Sequence, residues 1–228
     1  MTDTVTETAT ETATGGFAAL LRSASADEHE RAESSPFVGD LLGGRLGVEA
    51  YSGLAGQLWF VYRELERVAQ ELDGHPVVGA FVDPALFRTA ALERDLRHLH
   101  GDAWRESLVP LAATDEYVAR LRDVARDWPT GYVAHHYTRY LGDLSGGQVI
   151  RDAAEKSWGF QRKGDGVRFY VFDEIGNVAA YKRSYRAKLD AIGVDEVEQR
   201  RIAQECKRAF RLNSALFQDL GRRYPPAA

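Results

Sequence analysis

One stretch of the sequence combines glycines with a carboxylate inside a pattern that is otherwise helical. Between Gly142 and Gly147 the chain places three glycines and Asp143 within six residues. A glycine inside a helix costs about 1 kcal/mol relative to alanine, so this composition indicates a bend or a close approach of the backbone to a ligand. Gly142 and Gly146 share one helix face, and Asp143 lies beside them. We call this pair of glycines the glycine strip and expect it to accept a planar ligand.

Two other interpretations of this stretch are a nucleotide-binding loop and close packing of helices. The run Leu144 to Gln148, LSGGQ, also spells the signature loop of ABC-type ATPases, which contacts a nucleotide held by a P-loop. The sequence contains no Gly-Lys dipeptide and therefore no G-x-x-x-x-G-K-[ST] motif, which excludes that class. Close packing of two helices through small residues is the second interpretation, and it does not explain Asp143.

A second candidate site is a histidine with a carboxylate one helical turn further on. His29 and Glu33 are four residues apart and share a helix face. A carboxylate on one ring nitrogen fixes the tautomer of a metal-bound histidine and makes it more basic. An exposed His–Glu pair without function is the more frequent alternative for such spacing alone. His135 and His136, which precede the glycine strip, are further candidates as ligands or as surface residues.

The sequence does not support metal sites of other kinds. Di-iron carboxylate bundles use Glu-x-x-His on two helices, and every histidine here has a residue other than glutamate three positions earlier. The motif H-E-x-x-H is absent because His29-Glu30 continues as Arg31-Ala32-Glu33. One cysteine, Cys206, cannot form a zinc cluster. A bound metal would therefore bring its own organic ligands and need one histidine from the protein.

The apolar periodicity predicts the helices that must position these residues. We expect helices at about 16–33, 51–72, 84–99, 114–128, 130–158, 178–191 and 195–220, a glycine-rich connection at 39–47 and one short β-like run at 168–172. Pro36 should end the first helix, and Asp83-Pro84 should open the third as N-cap and first helical residue. The composition of residues 1–15 predicts a disordered tail. We expect a short C-terminal tail at 225–228. No linker or repeat interrupts 16–224, so the fold class predicted is a single all-α domain.

Composition and charge limit the partners and the compartment. The chain has 228 residues, of which 44% are hydrophobic and 28% charged, with a formal net charge of −5. This charge argues against general binding of nucleic acid or anionic membranes. A single cysteine fits a reducing compartment, and no run approaches the roughly 18 apolar residues of a membrane span. We expect a cytoplasmic protein without a membrane anchor or signal peptide.

The two candidate stretches together resemble the haem oxygenase family. The run Arg139 to Gln148 matches the distal-helix signature of that family without a gap, and Ala26 to Glu33 is similar to its proximal-histidine segment. Ala180–Arg186 and Phe210–Asn213 are also similar, in the same order, so that the resemblance covers about residues 16–224. The soluble, bacterial, biliverdin-producing type is the nearer match, since the C-terminal anchor of the animal enzymes is missing. The resemblance implies a multi-helix fold with haem sandwiched between a proximal and a distal helix.

The resemblance implies roles for the positions that match on the iron side. His29 would be the axial ligand of the iron, with Glu33 as its hydrogen-bond partner. The glycine strip, Gly142 and Gly146, would let the backbone approach the haem and leave room for dioxygen. Asp143 would hold a water network that donates hydrogen bonds and a proton toward that oxygen. The same network would continue through Tyr62, Arg139 and Asn213.

The haem propionates would need cations, and the resemblance implies which ones. The candidates are Arg22, Lys182 and Arg186, with a hydroxyl from Tyr137, although any one of these cations taken alone is more often a solvated surface residue. Phe210 would line the haem or belong only to the core. The family often has lysine where Arg22 stands. Arginine can bind a carboxylate through two parallel hydrogen bonds, so we expect function to survive with a different seating of the haem.

The activity implied is oxidative cleavage of haem b, as both cofactor and substrate, to biliverdin, carbon monoxide and ferrous iron with dioxygen as co-substrate. The sequence contains no G-x-G-x-x-G, hence no flavin or nicotinamide fingerprint, so the electrons would come from a separate ferredoxin or flavoprotein reductase. The alternatives are a non-catalytic haem-binding carrier or sensor and, more weakly, a non-haem helical enzyme. Asp143 favours the oxygenase, because a carrier has no need of a carboxylate beside the distal backbone.

Overall fold

Two long amphipathic helices form the frame of the fold, as their apolar periodicity predicts. α4 spans Val48–Glu71 and α11 spans Glu196–Arg223, and α7, Ala112–Asp127, packs against both. α11 begins where the carboxylate of Asp195 accepts a hydrogen bond from the amide of Glu198, 2.8 Å away. Such an N-cap satisfies one of the amide donors that the first turn leaves unpaired.

The computed structural model describes residues 15–226, and the regular structure in this range is helical throughout. Most of the two predicted tails, residues 1–14 and 227–228, lies outside it. Every α-helix contributes to one hydrophobic core, which confirms the predicted all-α single domain. None of the helices in residues 15–226 has the length and apolar composition that a membrane span requires. The remaining α-helices are α1 (Phe17–Ala24), α2 (Ala26–Glu33), α3 (Pro36–Leu42), α5 (Thr89–His100), α6 (Trp104–Ser107), α8 (Tyr132–His136), α9 (Gly147–Trp158) and α10 (Val178–Asp190).

The predicted first helix, 16–33, covers nearly the same residues as α1 and α2 together, and the break between these two helices lies at Ser25. The Oγ atom of Ser25 donates a hydrogen bond to the carbonyl of Leu21, 2.7 Å away, and the chain then starts again as α2. The prediction that a glycine-rich connection follows at 39–47 is wrong at its start. Pro36 opens α3 instead of merely ending the preceding helix, because its fixed φ suits a first helical position.

The predicted helix at 84–99 begins too early. Asp83 does cap the chain, accepting from the amide of Ala85 at 3.0 Å, but only one 3-10 turn follows. α5 starts at Thr89, whose amide donates to a carboxylate oxygen of Glu66 at 3.0 Å. A cap from α4 therefore sets this boundary, and no local signal in the sequence reveals it.

The short strand predicted at 168–172 is wrong. Residues Arg168–Tyr170 form a 3-10 turn, and the backbone amides of this loop donate to the buried carboxylate of Asp95. The three distances are 2.7 Å from Gly166, 2.8 Å from Arg168 and 2.8 Å from Phe169. Because a side chain satisfies these donors, the run needs no neighbouring strand.

The predicted helix at 130–158 is divided into three parts. A π-helical segment, Tyr137–Leu141, follows α8, and a turn at residues 144–146 separates it from α9. The hydroxyl of Thr138 donates to the carbonyl of Ala134 at 2.8 Å within this irregular region. π-Helical insertions occur most often at functional sites. The regular helix is therefore interrupted where the glycines lie.

Candidate functional site

Three elements that carry predicted site residues meet at the buried thiol of Cys206 on α11. Its sulfur lies 3.4 Å from Oγ1 of Thr138 in the π-helical segment, and Ser25, at the α1–α2 break, also forms a hydrogen bond with it. Burial raises the pKa of the thiol to about 11, so the group is a neutral packing contact. We call residues 132–148 the distal chain. Four residues after Ser25, Thr138 and Cys206 lie His29 on α2, Gly142 in the distal chain and Phe210 on α11.

His29 is placed where a ligand can reach it. Its side chain is 48% exposed, and its ring packs edge-on against Phe210 with the centroids 5.3 Å apart. Nδ1 lies 3.5 Å from a carboxylate oxygen of Glu33, as the spacing predicts. This contact on Nδ1 leaves Nε2 as the nitrogen that can bind a metal.

A buried polar network lies beside the glycine strip. Nε of Arg139 donates to the hydroxyl of Tyr62 at 3.0 Å, and that hydroxyl donates to Oδ2 of Asp143. Nη1 of Arg139 donates to Oδ1 of Asn213 at 2.5 Å, and its Nη2 lies 3.7 Å from Oδ1 of Asp143. Each of the four side chains belongs to a residue less than a tenth exposed. The structure thus brings together four predicted residues from α4, the distal chain and α11.

Burial and the neighbouring charges act in opposite directions on the pKa values of this network. Burial raises the pKa of Asp143 to about 6, and the Arg139 charge and the Tyr62 hydrogen bond act in the opposite direction. At pH 7 the carboxyl is therefore mostly ionised and accepts hydrogen bonds. Burial raises the pKa of Tyr62, which stays a donor. Burial acts to lower the pKa of Arg139, but Tyr62 and Asp143 outweigh it, and the guanidinium stays charged.

The three glycines of the distal stretch have two different surroundings. A Cβ atom added to Gly142 would meet nothing within 4 Å, and one added to Gly146 would meet only a backbone oxygen at 3.8 Å. A Cβ on Gly147 would lie 2.9 Å from the ring of Tyr170. The glycine strip therefore borders open space, whereas Gly147 serves packing. Bare backbone beside open space, together with an accessible imidazole, fits a flat macrocycle that carries its own metal.

The predicted propionate partners come from α1, α10 and the π-helical segment. Burial raises the pKa of Tyr137 to about 12, and the positive charges of Arg186 and Arg22 act in the opposite direction. Both arginines are exposed. The ammonium of Lys182 donates to Oγ of Ser145 at 2.7 Å, a contact that the sequence did not predict. We call Arg22, Lys182, Arg186 and Tyr137 the cationic edge, because cations and a hydroxyl suit carboxylates.

The other two candidate histidines are neither surface residues nor open to a ligand. His135 and His136 are fully buried, which contradicts the surface alternative. Nε2 of His135 lies 2.9 Å from Oε1 of Glu205, and Nδ1 of His136 lies 2.7 Å from the hydroxyl of Tyr185. A neighbouring residue that the sequence analysis missed is Gln148, whose amide donates to the Tyr170 carbonyl at 2.9 Å. Its position directly after the glycines was the available signal.

Comparisons with known proteins agree with this geometry. A sequence profile described as heme oxygenase matches residues 15–219. Heme oxygenase 1 of Gallus gallus is 37% identical over 202 residues, which cover 88% of this chain and 68% of that protein. Heme oxygenase 2 of Mus musculus is 35% identical over 88% of this chain, and the chain spans 64% of its length.

Solved structures show the same arrangement of helices. The crystal structure of heme oxygenase-1 from the cyanobacterium Synechocystis, in complex with heme, is 35% identical to this chain. It superposes with a TM-score of 0.87 over 92% of this chain and 94% of the cyanobacterial one. With the family profile matched over most of the sequence and the fold shared with a haem complex, the chain belongs to the haem oxygenase family, whose members degrade haem.

Proposed function

We propose that this protein opens haem b, as cofactor and substrate, to biliverdin, carbon monoxide and ferrous iron. The observation that carries the proposal is the buried network of Asp143, Tyr62, Arg139 and Asn213 beside a glycine strip that borders open space. A protein that only stores or carries haem gains nothing from an ionised carboxylate held at this place. When bound, haem supplies both the iron at which dioxygen is activated and the ring carbon that is oxidised.

On the proximal side His29 would bind the iron through Nε2. Glu33, 3.5 Å from Nδ1, favours the tautomer that leaves Nε2 free and increases the basicity of the ring. A neutral imidazole donates less electron density than a thiolate, and a thiolate would favour cleavage of the O–O bond. Phe210 fixes the plane of the imidazole by its edge-on contact. These residues therefore bind and orient, and they transfer no proton.

On the distal side Asp143 would orient water. The glycine strip keeps side chains out of the space above the ring, so that only a neighbouring group can organise solvent there. An ionised carboxylate is an acceptor only, and a water that donates one proton to it can direct its other proton toward the oxygen co-substrate. Tyr62 and Arg139 hold the carboxylate in position. Asn213 in turn fixes the guanidinium of Arg139.

The cationic edge would hold the propionates and so set which ring carbon faces the distal network. Arg22 on α1 and two residues on α10, Lys182 and Arg186, would supply the cations. Tyr137 would add a hydroxyl from the π-helical segment. Arginine can pair with a carboxylate through two hydrogen bonds, which restricts rotation of the ring more than a point charge does.

The electrons would come from a separate protein, a ferredoxin or a flavoprotein reductase. The full sequence lacks G-x-G-x-x-G, which supports an external donor for the reaction. Its single cysteine fits a reducing compartment, so we place the reaction in the cytoplasm.

The proposal is tested with the purified protein and one equivalent of hemin. After the spectrum of the complex is recorded, a reductant and oxygen are supplied, and biliverdin absorbance and released carbon monoxide are measured. We expect the haem absorbance to decay with one carbon monoxide for each biliverdin formed. A complex that binds hemin but keeps its spectrum through reduction and oxygenation would identify a carrier or sensor instead.

A further inference from the structure

One buried histidine next to the candidate site has no part in the proposed chemistry. His136, the last residue of α8, is 0% exposed. Its Nδ1 lies 2.7 Å from the hydroxyl of Tyr185 on α10. The two rings are also stacked, with centroids 5.6 Å apart and an interplanar angle of 10°. This is a contact between the start of the distal chain and the helix that carries two of the proposed propionate cations.

The surroundings of His136 exclude a role as a ligand or as a proton donor. Its ring packs among the aromatic rings of Phe81, Tyr132 and Tyr140. Burial lowers its pKa to about 3, so the ring is neutral at pH 7. Nε2 has no hydrogen-bond partner among the described residues. A buried polar atom without a partner destabilises a fold. The bond to Tyr185 is therefore the one polar interaction of the His136 ring within the described residues that can stabilise its place.

Tyr185 lies between the two cations on α10. It is 3% exposed and faces the core, whereas Lys182, one turn earlier, is half-buried and Arg186, the next residue, is exposed. Lys182 forms a second link to the distal chain through Oγ of Ser145, at 2.7 Å. α10 is therefore joined to the distal chain by an inner bond near the π-helical segment and by an outer bond near the glycine strip.

We propose that His136 is a positioning residue that, through Tyr185, sets the place of Lys182 and Arg186 relative to the glycine strip and thereby the rotation of the haem ring in its pocket. The inference rests on the proposed function, because these cations are the proposed partners of the propionates. A buried bond suits this task better than a surface contact, since ring stacking and exclusion of water hold its geometry. Which ring carbon meets the distal network follows from that rotation.

The test removes the two hydroxyl groups of α10 one at a time. Tyr185→Phe deletes the bond to His136 and keeps the ring stack. Tyr181→Phe is the matched control, because the hydroxyl of Tyr181 donates to Oδ2 of Asp83 at the same distance of 2.7 Å and forms no hydrogen bond with the distal chain within residues 15–226. His136→Phe removes the bond from the other side. Thermal melting of each apoprotein establishes that the variants are folded.

The readouts are the dissociation constant of hemin and the distribution of biliverdin isomers. For Tyr185→Phe and His136→Phe we expect the hemin constant to rise about threefold to tenfold, which corresponds to weakening one charge-assisted contact. We also expect a several-fold larger share of isomers other than the main isomer of the parent protein. The double variant should be no worse than either single one, since both changes break the same bond. Tyr181→Phe should keep both quantities within twofold.

The inference is overturned if Tyr185→Phe keeps the parent hemin constant and isomer distribution. It is also overturned if Tyr181→Phe shifts them equally, because then α10 responds to any loss of packing. Failure of the proposed function is a different result, namely a parent protein that makes no biliverdin. In that case the hemin constants still decide whether the bond between His136 and Tyr185 places the cations.

Discussion

At the scale of single residues, the site depends on a carboxylate that the fold makes costly to ionise. Burial raises the pKa of Asp143 from 3.8 to about 6, although Arg139 and Tyr62 oppose the shift. The folded protein thus binds this proton more tightly than the unfolded chain does. Folding stability therefore falls as the pH rises from about 4 to about 6 and the carboxylate forms. The charge is retained at the expense of stability, which is typical of a functional group.

The first prediction concerns the pH dependence of haem turnover. Because the ionised form of Asp143 is the acceptor, turnover should fall as the pH decreases through about 6. Asp143→Asn should be slower than the parent protein by about 10²-fold, and its rate should no longer show this acid limb. The measurement is the rate of biliverdin formation between pH 5 and pH 8, each protein saturated with hemin. An acid limb of the same shape in Asp143→Asn would assign the titration to another group.

The sequence predicts some of these residues from spacing alone and others not at all. The contact between His29 and Glu33 follows from four-residue spacing on a helix, which needs no tertiary information. Tyr62 and Asn213 are remote in sequence from Asp143, and only the family resemblance suggested them. The surface alternative for His135 and His136 is wrong, because neighbouring helices bury both residues and no local pattern in the sequence shows that.

At the scale of elements, the distal chain uses glycine for two separate purposes. Gly142 and Gly146 leave a surface open to a ligand, and Gly147 lets the loop after α9 approach through Tyr170. All of them have helical backbone angles or lie next to helical residues, so the reason for glycine is space rather than an unusual conformation.

The second prediction compares Gly142→Ala with Gly147→Ala. The apoprotein of Gly142→Ala should be as stable as the parent or up to about 1 kcal/mol more stable, because the Cβ meets nothing and alanine favours helix. The same variant should bind hemin more weakly, since its methyl group enters the proposed ring surface. Gly147→Ala should lose about 1–3 kcal/mol through its clash with Tyr170. Urea denaturation and hemin titration measure the two effects, and equal stability losses would contradict the assignment.

The third prediction concerns the loop that contains residues 166–169, whose backbone amides donate to Asp95. Asp95→Ala leaves three amides without an acceptor, two of them buried, and each buried loss costs about 1–3 kcal/mol. We expect at least about 3 kcal/mol lower stability in urea. Asp165→Ala is the control in the same loop, because its bond to Arg94 is exposed and such pairs contribute roughly 0–1 kcal/mol. A loss below 1 kcal/mol in Asp95→Ala would show that the loop is held otherwise.

The elements that periodicity predicts well are those whose backbone bonds close within the helix. α4, α7, α10 and α11 fall close to their expected positions for this reason. The prediction fails where a distant carboxylate satisfies the backbone, as Glu66 does at the start of α5 and Asp95 does at 166–169. Such tertiary caps depend on the assembled fold and leave no trace in a short window of sequence.

At the scale of the whole molecule, α11 joins the two sides of the site. Cys206, Phe210 and Asn213 recur at intervals of four and three residues and so share one face of the helix. Along this face Cys206 contacts Thr138 of the π-helical segment, and Phe210 contacts the imidazole of His29. Asn213 accepts a hydrogen bond from the guanidinium of Arg139. The resemblance implies that haem lies between a proximal and a distal side, and this face of α11 contacts one residue from each.

The fourth prediction follows from the exposure of His29. Because its side chain is half exposed, His29→Ala should fold like the parent protein and keep its stability within about 0.5 kcal/mol. Added hemin stabilises the parent by mass action, and this stabilisation should shrink in the variant together with the spectral signature of an axial imidazole. Thermal melting with and without hemin measures both. An unchanged spectrum and turnover would exclude His29 as the ligand.

The measurement that tests the central claim most directly is the product of a single turnover by Asp143→Ala beside the parent protein. The variant should bind hemin within about threefold of the parent, since His29 and the cations are untouched. Without the carboxylate that orients water toward the oxygen co-substrate, it should form no biliverdin and instead oxidise an added phenol as a peroxidase does. Biliverdin formed by Asp143→Ala at the parent rate would contradict the account, because the buried network would then have no part in directing oxygen to the ring.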